Sequence, residues 1–316
     1  MKNILSSPRT GPSLSVNVAS VAVVSILLLR FWWPVFPDTG TPLQTEYHLS
    51  TVLNSFESNT TCFVQGFSML EDSKYVLACG GYGASKLVRI SNLSQSSLDT
   101  SVVYEADAEH FYEGATVIDG TRLVVLTWKE RRILEFELPD IELKRVIDYP
   151  REGWGLAYDN SRKILWASDG SATLYKLDSD SYETLGSCTV QSSYDGTRSE
   201  PVPYLNELEV VNGTIFANVY MDSSYFAESP NYIIGIDPET CYAKSIIPIF
   251  GLEANRTSTA VLNGISQTSN GNLLITGKSW NRIYEIQLGS TVSQYSDPLW
   301  SRYNVSKFYK LNLQFR

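Results

Sequence analysis

Five copies of one sequence unit constrain the fold of this chain more than any other feature. Aligned on an inner glycine or its equivalent, at positions 66, 114, 155, 208 and 264, the copies lie 48, 41, 53 and 56 residues apart. Their opening segments are Phe63-Val64-Gln65-Gly66-Phe67, Phe111-Tyr112-Glu113-Gly114-Ala115, Glu152-Gly153-Trp154-Gly155-Leu156, Leu205-Asn206-Glu207-Leu208-Glu209 and Leu262-Asn263-Gly264-Ile265-Ser266.

Each opening precedes further strand-like runs separated by turn residues such as Asp119-Gly120 and Asn212-Gly213. The second strands are predicted at residues 75–78, 123–126, 164–167, 214–217 and 273–276, and the third at 87–90, 133–136, 173–176, 232–235 and 283–286. A fourth strand is plausible after each, for example at 145–148 or 182–185. Four strands in 40 to 50 residues are typical of β-propeller blades. The sequence therefore predicts an all-β, five-bladed β-propeller, in which residues 47–53 close the last blade. A β-sandwich would not explain the regular spacing.

Propeller geometry predicts where a site can form. The first strand of each unit starts at one mouth of the central channel, and the second strand returns to that mouth. The residues placed there are Phe63, Gln65, Phe111, Glu113, Trp154, Asn206 and Asn263 from first strands, and Trp128, Asp169, Tyr220 and Lys278 from the ends of second strands. Asp169, within Ser168-Asp169-Gly170-Ser171, is interpreted as a turn residue.

Glu113 is the carboxylate that stands out at this mouth, because it follows Phe111 and Tyr112 directly. A carboxylate desolvated by aromatic rings has a raised pKa and can act as both acid and base near neutral pH. A partly exposed glutamate at a turn is the alternative interpretation of these residues alone.

Charge and composition exclude several functions. The net charge is −9, and the only basic run is Lys129-Glu130-Arg131-Arg132, which argues against a nucleic-acid partner. The chain has two histidines, His48 and His110, and no Cys or His pair at metal-ligand spacing. A histidine-based catalytic zinc site is therefore not expected.

The N-terminus has the pattern of a targeting segment. Lys2 and Arg9 precede the uncharged stretch 10–29, and Arg30 and an aromatic cluster follow. We expect a cytosolic tail and uncleaved signal anchor over residues 1–36, with a cleaved signal peptide or a buried helix as alternatives. A linker at 37–45, a catalytic propeller at 46–289 and a tail at 290–316 complete the predicted organisation.

Two further signals indicate a secretory compartment. Asn-x-Ser/Thr sequons occur at Asn59, Asn92, Asn212, Asn255 and Asn304. The four cysteines allow three pairings, of which Cys62 with Cys79 and Cys188 with Cys241 closes the shorter loops and is preferred. Free buried thiols remain the alternative. The sequence thus predicts a single-pass type II membrane protein whose propeller faces the lumen of the secretory pathway, with a secreted protein as the alternative.

An ordered set of motifs resembles the plant and bacterial type of glutaminyl cyclase, or glutamine cyclotransferase. The motifs run through all five units, from about residue 45 to 288: Phe63-x-Gln65-Gly66, Phe111-x-Glu113-Gly114, Leu126-Thr127-Trp128-Lys129, Glu152-Gly153-Trp154-Gly155-Leu156, Ser168-Asp169-Gly170-Ser171, Leu205-Asn206-Glu207-Leu208-Glu209, Leu262-Asn263-Gly264-Ile265 and Thr276-Gly277-Lys278-x-Trp280. The resemblance implies conversion of N-terminal glutamine to pyroglutamate with loss of ammonia, without catalytic zinc.

Carried over by position, the family's catalytic carboxylate falls on Glu113. The other site residues fall on Phe63, Gln65, Phe111, Trp128, Trp154, Asn206 and Lys278. Gln65, Asn206 and Lys278 are expected to be catalytic: their donor groups, or an indole N–H, could stabilise the oxyanion, and Lys278 could instead only adjust the pKa of Glu113. The aromatic residues, together with Tyr220, are expected to bind the substrate. One departure is Tyr220, within Ala217-Asn218-Val219-Tyr220, where the family usually has tryptophan. An extended loop is expected at residues 222–231, on the same face. The predicted partners are peptides or proteins with N-terminal glutamine, and the predicted state is a monomer with no required cofactor, although calcium in the channel is possible.

Two alternative functions remain at this stage. Glu113, Asn206, Glu207 and Asn263 could instead be calcium ligands of a propeller hydrolase that acts on lactones or phosphoesters. That reading would need more carboxylates and fewer tryptophans at the mouth. A non-catalytic propeller that binds peptides would keep the aromatic residues without needing Glu113.

Overall fold

The structure, a computed structural model, describes residues 44–58, 62–93, 98–193, 198–220, 231–249, 252 and 260–292. These residues form 22 β-strands and no helix. The predicted all-β class is therefore confirmed for this part of the chain. The first strands of the units are buried along most of their length because they are covered on both sides.

The first three units are separate four-stranded antiparallel sheets in sequence order. The strands of the first are β2 (Val64–Glu71), β3 (Lys74–Cys79), β4 (Lys86–Asn92) and β5 (Asp99–Glu105). Those of the second are β6 (Tyr112–Ile118), β7 (Arg122–Thr127), β8 (Arg132–Glu137) and β9 (Glu142–Asp148). Those of the third are β10 (Leu156–Asp159), β11 (Ile164–Ser168), β12 (Thr173–Asp178) and β13 (Thr184–Thr189). The third unit differs from the prediction in that its first strand begins only at Leu156.

The last two units belong to one larger sheet. The fourth unit comprises β16 (Leu205–Val211), β17 (Thr214–Val219), β18 (Asn231–Asp237) and β19 (Tyr242–Ile249). The fifth comprises β20 (Leu262–Gln267), β21 (Leu273–Gly277), β22 (Arg282–Val292) and β1 (Glu46–Glu57). Two short strands, β14 (Gln191–Ser192) and β15 (Glu200–Pro201), pair beside β19. A parallel pairing of β1 with β19 joins the two units.

Strand β1 closes the molecule, as predicted for residues 47–53. It pairs antiparallel with β22, with Tyr47 opposite Val292 and Glu57 opposite Arg282. The N-terminal end of the described chain thereby supplies the outer strand of the last unit. The end of β22 also reaches into the segment predicted as a tail, 290–316.

The first strands of the five units contact one another in a closed series, β2, β6, β10, β16, β20 and back to β2. Neighbouring units are linked by direct hydrogen bonds, such as that from the Gly114 amide to the Trp154 carbonyl oxygen at 2.7 Å. Apolar clusters fill the space between adjacent sheets; one joins Val76 and Leu87 of the first unit to Phe136 of the second. The arrangement is propeller-like.

Glu207 of β16 links first strands of three different units. Its carboxylate accepts hydrogen bonds from the backbone amides of Phe67 in β2, at 3.2 Å, and Ile265 in β20, at 2.7 Å. The side chain is fully buried. Glu207 therefore serves as a cross-link near the axis of the molecule.

The structure contains disulfides between Cys62 and Cys79 and between Cys188 and Cys241. The first ties the segment before β2 to the end of β3, with 5.2 Å between the Cα atoms. The second joins the third unit to the fourth, with a Cα separation of 6.3 Å. This is the pairing that closes the shorter loops.

The predicted anchor at 1–36 and nearly all of the predicted linker and tail lie outside the described residues, as do the sequons at Asn59, Asn255 and Asn304. Asn92 and Asn212 are described and exposed. Within the described ranges, no helix has the length and apolar character needed to cross a bilayer.

Close approach between first strands predicts that Gly155→Ala is strongly destabilising. A Cβ atom at position 155 would overlap the Asn206 carbonyl oxygen of the adjacent unit, which belongs to the backbone and cannot move away freely. We expect a loss of about 3 kcal/mol or more in the free energy of unfolding, measured by urea denaturation.

Gly186→Ala is the matched control, because a Cβ atom there meets nothing within 4 Å. This variant should be neutral or slightly stabilising, since it only restricts the unfolded chain. Equal stability of the two variants would contradict the close approach of the strands.

Candidate active site

The predicted mouth residues lie close together in space, although they come from all five units. Phe63 forms an isolated β-bridge with Lys278, so the first and last units meet there. The rings of Phe63 and Phe111 are 6.4 Å apart, and those of Phe111 and Trp128 are 5.5 Å apart. On the other side, Trp154 and Tyr220 are 5.9 Å apart in an edge-to-face contact. These five rings form what we call the aromatic wall.

Glu113 is 5% exposed and lies at the start of β6. Burial raises its pKa well above the ordinary value of 4.5. The positive charge of Lys278 opposes this rise in pKa, whereas the carboxylates of Glu130 and Glu152 add to it. Glu113 is thus a carboxyl group whose protonated form is favoured by burial, a perturbation that is common at catalytic acid–base residues.

Two buried amides hold the Glu113 side chain in place. Gln65 Nε2 donates to Glu113 Oε1 at 2.9 Å, and Gln65 Oε1 accepts from Asn263 Nδ2 at 2.6 Å. Asn263 Nδ2 also donates to the Val64 carbonyl oxygen at 3.1 Å. Gln65 is therefore engaged at both ends. This arrangement favours a role in orienting Glu113 over a role as oxyanion donor.

Lys278 lies at the end of β21 and is 7% exposed. Its Nζ atom is 5.1 Å from the Phe63 ring centroid and 4.6 Å from that of Tyr220. Desolvation lowers the pKa of Lys278, and the charge of Glu113 counteracts that effect. The charge of each group partly reverses the pKa shift that burial causes in the other group. The protonation states of Glu113 and Lys278 are therefore coupled.

Three polar atoms of the predicted mouth residues are buried without a hydrogen-bonding partner among the described residues: the indole Nε1 of Trp154 and the Oδ1 atoms of Asn206 and Asn263. The backbones of Trp154 and Asn206 are fixed, since the Trp154 amide donates to the Ser168 carbonyl oxygen and Ser168 Oγ donates to the Asn206 carbonyl oxygen. Unpaired buried polar atoms are costly and usually have a partner. A donor and two acceptors are thus available to a bound molecule.

The Trp154 ring packs directly against Gly170, where the absence of a side chain leaves room for it. A Cβ atom at Gly170, whose φ is +81°, would lie 2.6 Å from the ring. The Ser-Asp-Gly-Ser turn is stabilised by Asp169, which accepts from the Ser171 amide at 3.1 Å and from the Tyr175 hydroxyl at 2.9 Å. This turn role agrees with the interpretation of Asp169, and it explains how the turn shapes the site.

Glu207, one of the residues considered as calcium ligands, is engaged in hydrogen bonds to the backbone. Both carboxylate oxygens of Glu207 accept backbone N–H groups. The described residues contain no group of three or more His, Cys, Asp or Glu side chains able to hold a metal ion. Burial raises the pKa of Glu207 well above its ordinary value, and the nearby Glu209 contributes to that rise.

Three residues near the wall were missed by sequence reasoning: Tyr82, Glu130 and Glu152. Glu152 accepts from the Trp128 indole N–H at 3.0 Å, so that indole is already paired. Glu130 accepts from the Tyr82 hydroxyl at 2.7 Å and from the Phe111 amide at 3.1 Å. Tyr82 lies three residues after the end of β3, whereas Trp128 and Lys278 directly follow their strands, so the rule on strand ends selects Gly80 in this unit and misses Tyr82.

Two surface clefts among the described residues lie away from the aromatic wall. A cleft of about 290 Å³ lies between the turns at 72–73 and 268–270, and another of about 260 Å³ lies beside residues 49–52. Neither contains a residue of the aromatic wall. The mouth is distinguished instead by its chemistry, because it contains a carboxyl group with a raised pKa and buried polar atoms without partners among the described residues.

Comparison with known proteins identifies the class to which this site belongs. The sequence profile described as glutamine cyclotransferase matches residues 30–288. A curated relative, the glutaminyl-peptide cyclotransferase of Arabidopsis thaliana, is 28% identical over 291 residues, which are 91% of this chain and 86% of the relative. The crystal structure of Myxococcus xanthus glutaminyl cyclase is similar with a TM-score of 0.66 and 27% identity, and covers 79% of this chain and 100% of that one.

The chain therefore belongs to the glutamine cyclotransferase family. The family suggested by the ordered motifs is thereby confirmed, and with it an enzyme of the glutaminyl-peptide cyclotransferase type.

The buried Glu113 carboxyl predicts a pH-dependent stability difference. A group whose pKa is raised by folding stabilises the protein only while it is protonated, so its contribution is lost as the pH rises above 4.5 toward the raised value. Glu113→Gln removes this loss. The variant should match the wild type near pH 4 and exceed its stability at higher pH, by at most about 1.4 kcal/mol for each pH unit.

Urea midpoints measured from pH 4 to 9 test this expectation. Glu207 and Glu209 also titrate, but they are present in both proteins and cancel in the comparison. Lys278 is coupled to Glu113 and does not cancel: without the Glu113 charge its pKa falls further, which adds to the gain of the variant as the pH rises. A stability difference that does not change with pH would contradict a raised pKa at Glu113.

Proposed function

We propose that this protein converts the N-terminal glutamine of peptides and proteins to pyroglutamate, with Glu113 as the general acid and base. The observation that carries this proposal is the buried Glu113 carboxyl, oriented by Gln65, at a mouth whose residues also include a buried donor, Trp154 Nε1, and a buried acceptor, Asn206 Oδ1, without partners among the described residues. Aromatic rings surround the space next to these groups.

The wall supplies the geometry that cyclisation needs. The α-amine of the substrate attacks the Cδ atom of its own side-chain amide, so the side chain must curl back on itself. Holding both groups in a near-attack geometry contributes much of the acceleration of such intramolecular reactions. Trp128, Trp154 and Phe111 enclose the side chain and exclude water.

Glu113 carries the proton through the reaction. As a carboxylate, it accepts a proton from the attacking amine while the new C–N bond forms. As a carboxylic acid, it then delivers that proton to the amide nitrogen, the old C–N bond breaks, and ammonia leaves. The pKa raised by burial makes the Glu113 carboxylate a stronger base towards the amine than an exposed carboxylate would be.

The unpaired groups suit the remaining polar atoms of the reaction. The Trp154 indole N–H stabilises the oxyanion of the tetrahedral intermediate, and such a donor contributes about 3 kcal/mol. Asn206 Oδ1 accepts an N–H of the substrate. Lys278 holds a positive charge near Glu113 and adjusts its pKa, while Tyr220 packs against both Lys278 and Trp154.

We further propose that the five units are the blades of a five-bladed propeller, a fold supported by the closed series of first strands. Its central channel needs no calcium in this proposal, because both carboxylate oxygens of Glu207 already accept hydrogen bonds from backbone amides. The enzyme acts as a monomer, since one chain supplies every residue of the proposed site.

Activity assays with a glutamine-initiated peptide test the proposal. Wild type should release ammonia and form pyroglutamate with a chelator present, because no metal takes part. Glu113→Gln should lower kcat by a factor of about 10² to 10⁴, the range typical of a general acid–base group. Glu71→Gln, which removes an exposed carboxylate from the turn end of β2, should leave the rate unchanged. A folded wild type without turnover would refute the proposed activity.

We also propose that residues 1–36 anchor the enzyme in the membrane, with the catalytic domain in the secretory lumen. The uncharged stretch 10–29 with flanking basic residues and the five sequons support this location. Two of the sequon asparagines, Asn92 and Asn212, are exposed as glycan acceptors must be.

Expression in eukaryotic cells tests the location. On a denaturing gel the protein should have a higher apparent mass, which falls on glycosidase treatment. The single variants Asn92→Gln and Asn212→Gln should each lose part of this increase in apparent mass. It should also remain in the pellet after carbonate extraction. A single unglycosylated species that is extracted by carbonate would refute both the anchor and the luminal location.

A further inference from the structure

Tyr82 is held rigidly in an exposed position at the edge of the proposed active site. Its side chain is 52% exposed, although it is a large aromatic residue. It lies between Gly81, with φ +151°, and Gly83, with φ +70°, in the loop that follows β3. These backbone conformations favour glycine, so the loop is shaped to present the residue between them.

Hydrogen bonds fix the loop against the neighbouring unit. The Gly83 amide donates to the Ala108 carbonyl oxygen at 3.2 Å, and Ser85 Oγ, which donates to the Gly81 carbonyl oxygen at 2.9 Å, accepts from the Tyr112 amide at 3.1 Å. The Tyr82 hydroxyl donates to Glu130. Ordering an exposed ring in this way adds little to the core, whereas a binding surface gains from it.

The Tyr82 ring extends the aromatic wall outward. It contacts the Phe111 ring edge-to-face at 5.3 Å, and Phe111 contacts Phe63, which lies under Lys278. Exposure increases along this line, from the buried Lys278 through the half-buried phenylalanines to Tyr82. A peptide whose first residue is enclosed near Glu113 must leave the site towards solvent, and Tyr82 lies at the solvent end of the wall.

The charge at this edge is set by carboxylates that hold the wall. Glu130 lies between the Tyr82 hydroxyl and the Phe111 amide, and Glu152 accepts from Trp128. The one cation seated on this part of the wall, among described residues, is Lys129, whose Nζ is 4.1 Å from the Trp128 ring centroid. A ring face beside a carboxylate is complementary to a guanidinium or ammonium group.

We propose that Tyr82 and Glu130 form a second subsite, which binds the side chain of the residue after the glutamine and favours a cationic one. The subsite rests on the proposed function, because it binds the residue that follows an N-terminal glutamine held near Glu113. Tyr82 supplies the ring face and Glu130 the negative charge. Substrates that begin with glutamine followed by arginine or lysine are preferred over those with a following glutamate.

The test compares kcat/KM for three peptides that differ only at the second residue: arginine, alanine or glutamate. With the full-length wild type at low salt, the arginine peptide should exceed the glutamate peptide by about tenfold, from one cation–π contact and one ion pair. Tyr82→Ala and Glu130→Gln should each reduce that ratio to about two- to threefold. Tyr82→Phe keeps the ring and should retain most of the preference.

The ratio of kcat/KM values distinguishes recognition of the second residue from a structural effect on Phe111. A variant that displaces Phe111 would lower kcat/KM for all three peptides by the same factor and leave the ratio unchanged. Glu71→Gln serves as the charge control and should leave the ratio at its wild-type value. A wild-type ratio near one, or a ratio unchanged by both Tyr82→Ala and Glu130→Gln, would overturn the subsite while leaving the cyclase activity intact.

Binding measurements keep the two proposals distinguishable. If folded wild type turns over none of the peptides, the proposed function fails, and calorimetric Kd values for the Glu113→Gln variant then test the subsite alone. Tighter binding of the arginine peptide, lost on adding Tyr82→Ala, would support the subsite. Equal Kd values for the arginine and glutamate peptides would reject it.

Discussion

Closure of the ring of first strands is the constraint on which the rest of the structure depends. The strand that completes the fifth unit, β1, comes from the opposite end of the described chain and pairs with β22. Contacts so distant in sequence have a large loop-closure cost, which is recovered only when all the units are in place. Tight packing of the first strands requires glycine at position 155, and Glu207 connects β16 to β2 and β20. The mouth residues converge because the ring is closed.

Burial acts alike on three carboxyl groups near the axis, but their partners give them different roles. Glu207 is satisfied by two backbone amides and is structural. Glu209, whose pKa burial raises to about 8, is paired with the Gln267 amide. Glu113 receives one amide hydrogen bond, from Gln65, and faces a lysine whose own pKa is lowered by desolvation. A buried carboxyl that is only partly satisfied and lies next to unpaired polar atoms is the one suited to exchange protons with a substrate.

Much of this organisation was predictable from the sequence, because alternation and turn residues report strands directly. The repeat predicted the four-stranded units. The positions of strand starts and strand ends predicted that Glu113, Lys278 and Trp154 lie at one mouth of the channel. Those positions could not say what each side chain contacts. That Gln65 orients Glu113 through Asn263, and that the Trp128 indole is occupied by Glu152, depend on distances between units that no local pattern encodes. Strand β10 begins only at Leu156, and the residues before it, Trp154 and Gly155, are held by backbone hydrogen bonds to Ser168 of the neighbouring strand.

The carboxylates outside the aromatic wall connect its shape to its electrostatics. Glu130 and Glu152 fix Phe111 and Trp128 by hydrogen bonds, and the same negative charges raise the pKa of Glu113. Lys278 acts in the opposite direction from inside the site. The proton affinity of Glu113 is therefore set between an acidic outer layer and a buried cation, and any change to the outer layer alters the geometry and the proton affinity together. A neutral outer layer would hold the rings less firmly and would leave Glu113 a weaker base. This coupling gives a physical reason for placing acidic residues around a site whose central group is itself a carboxyl.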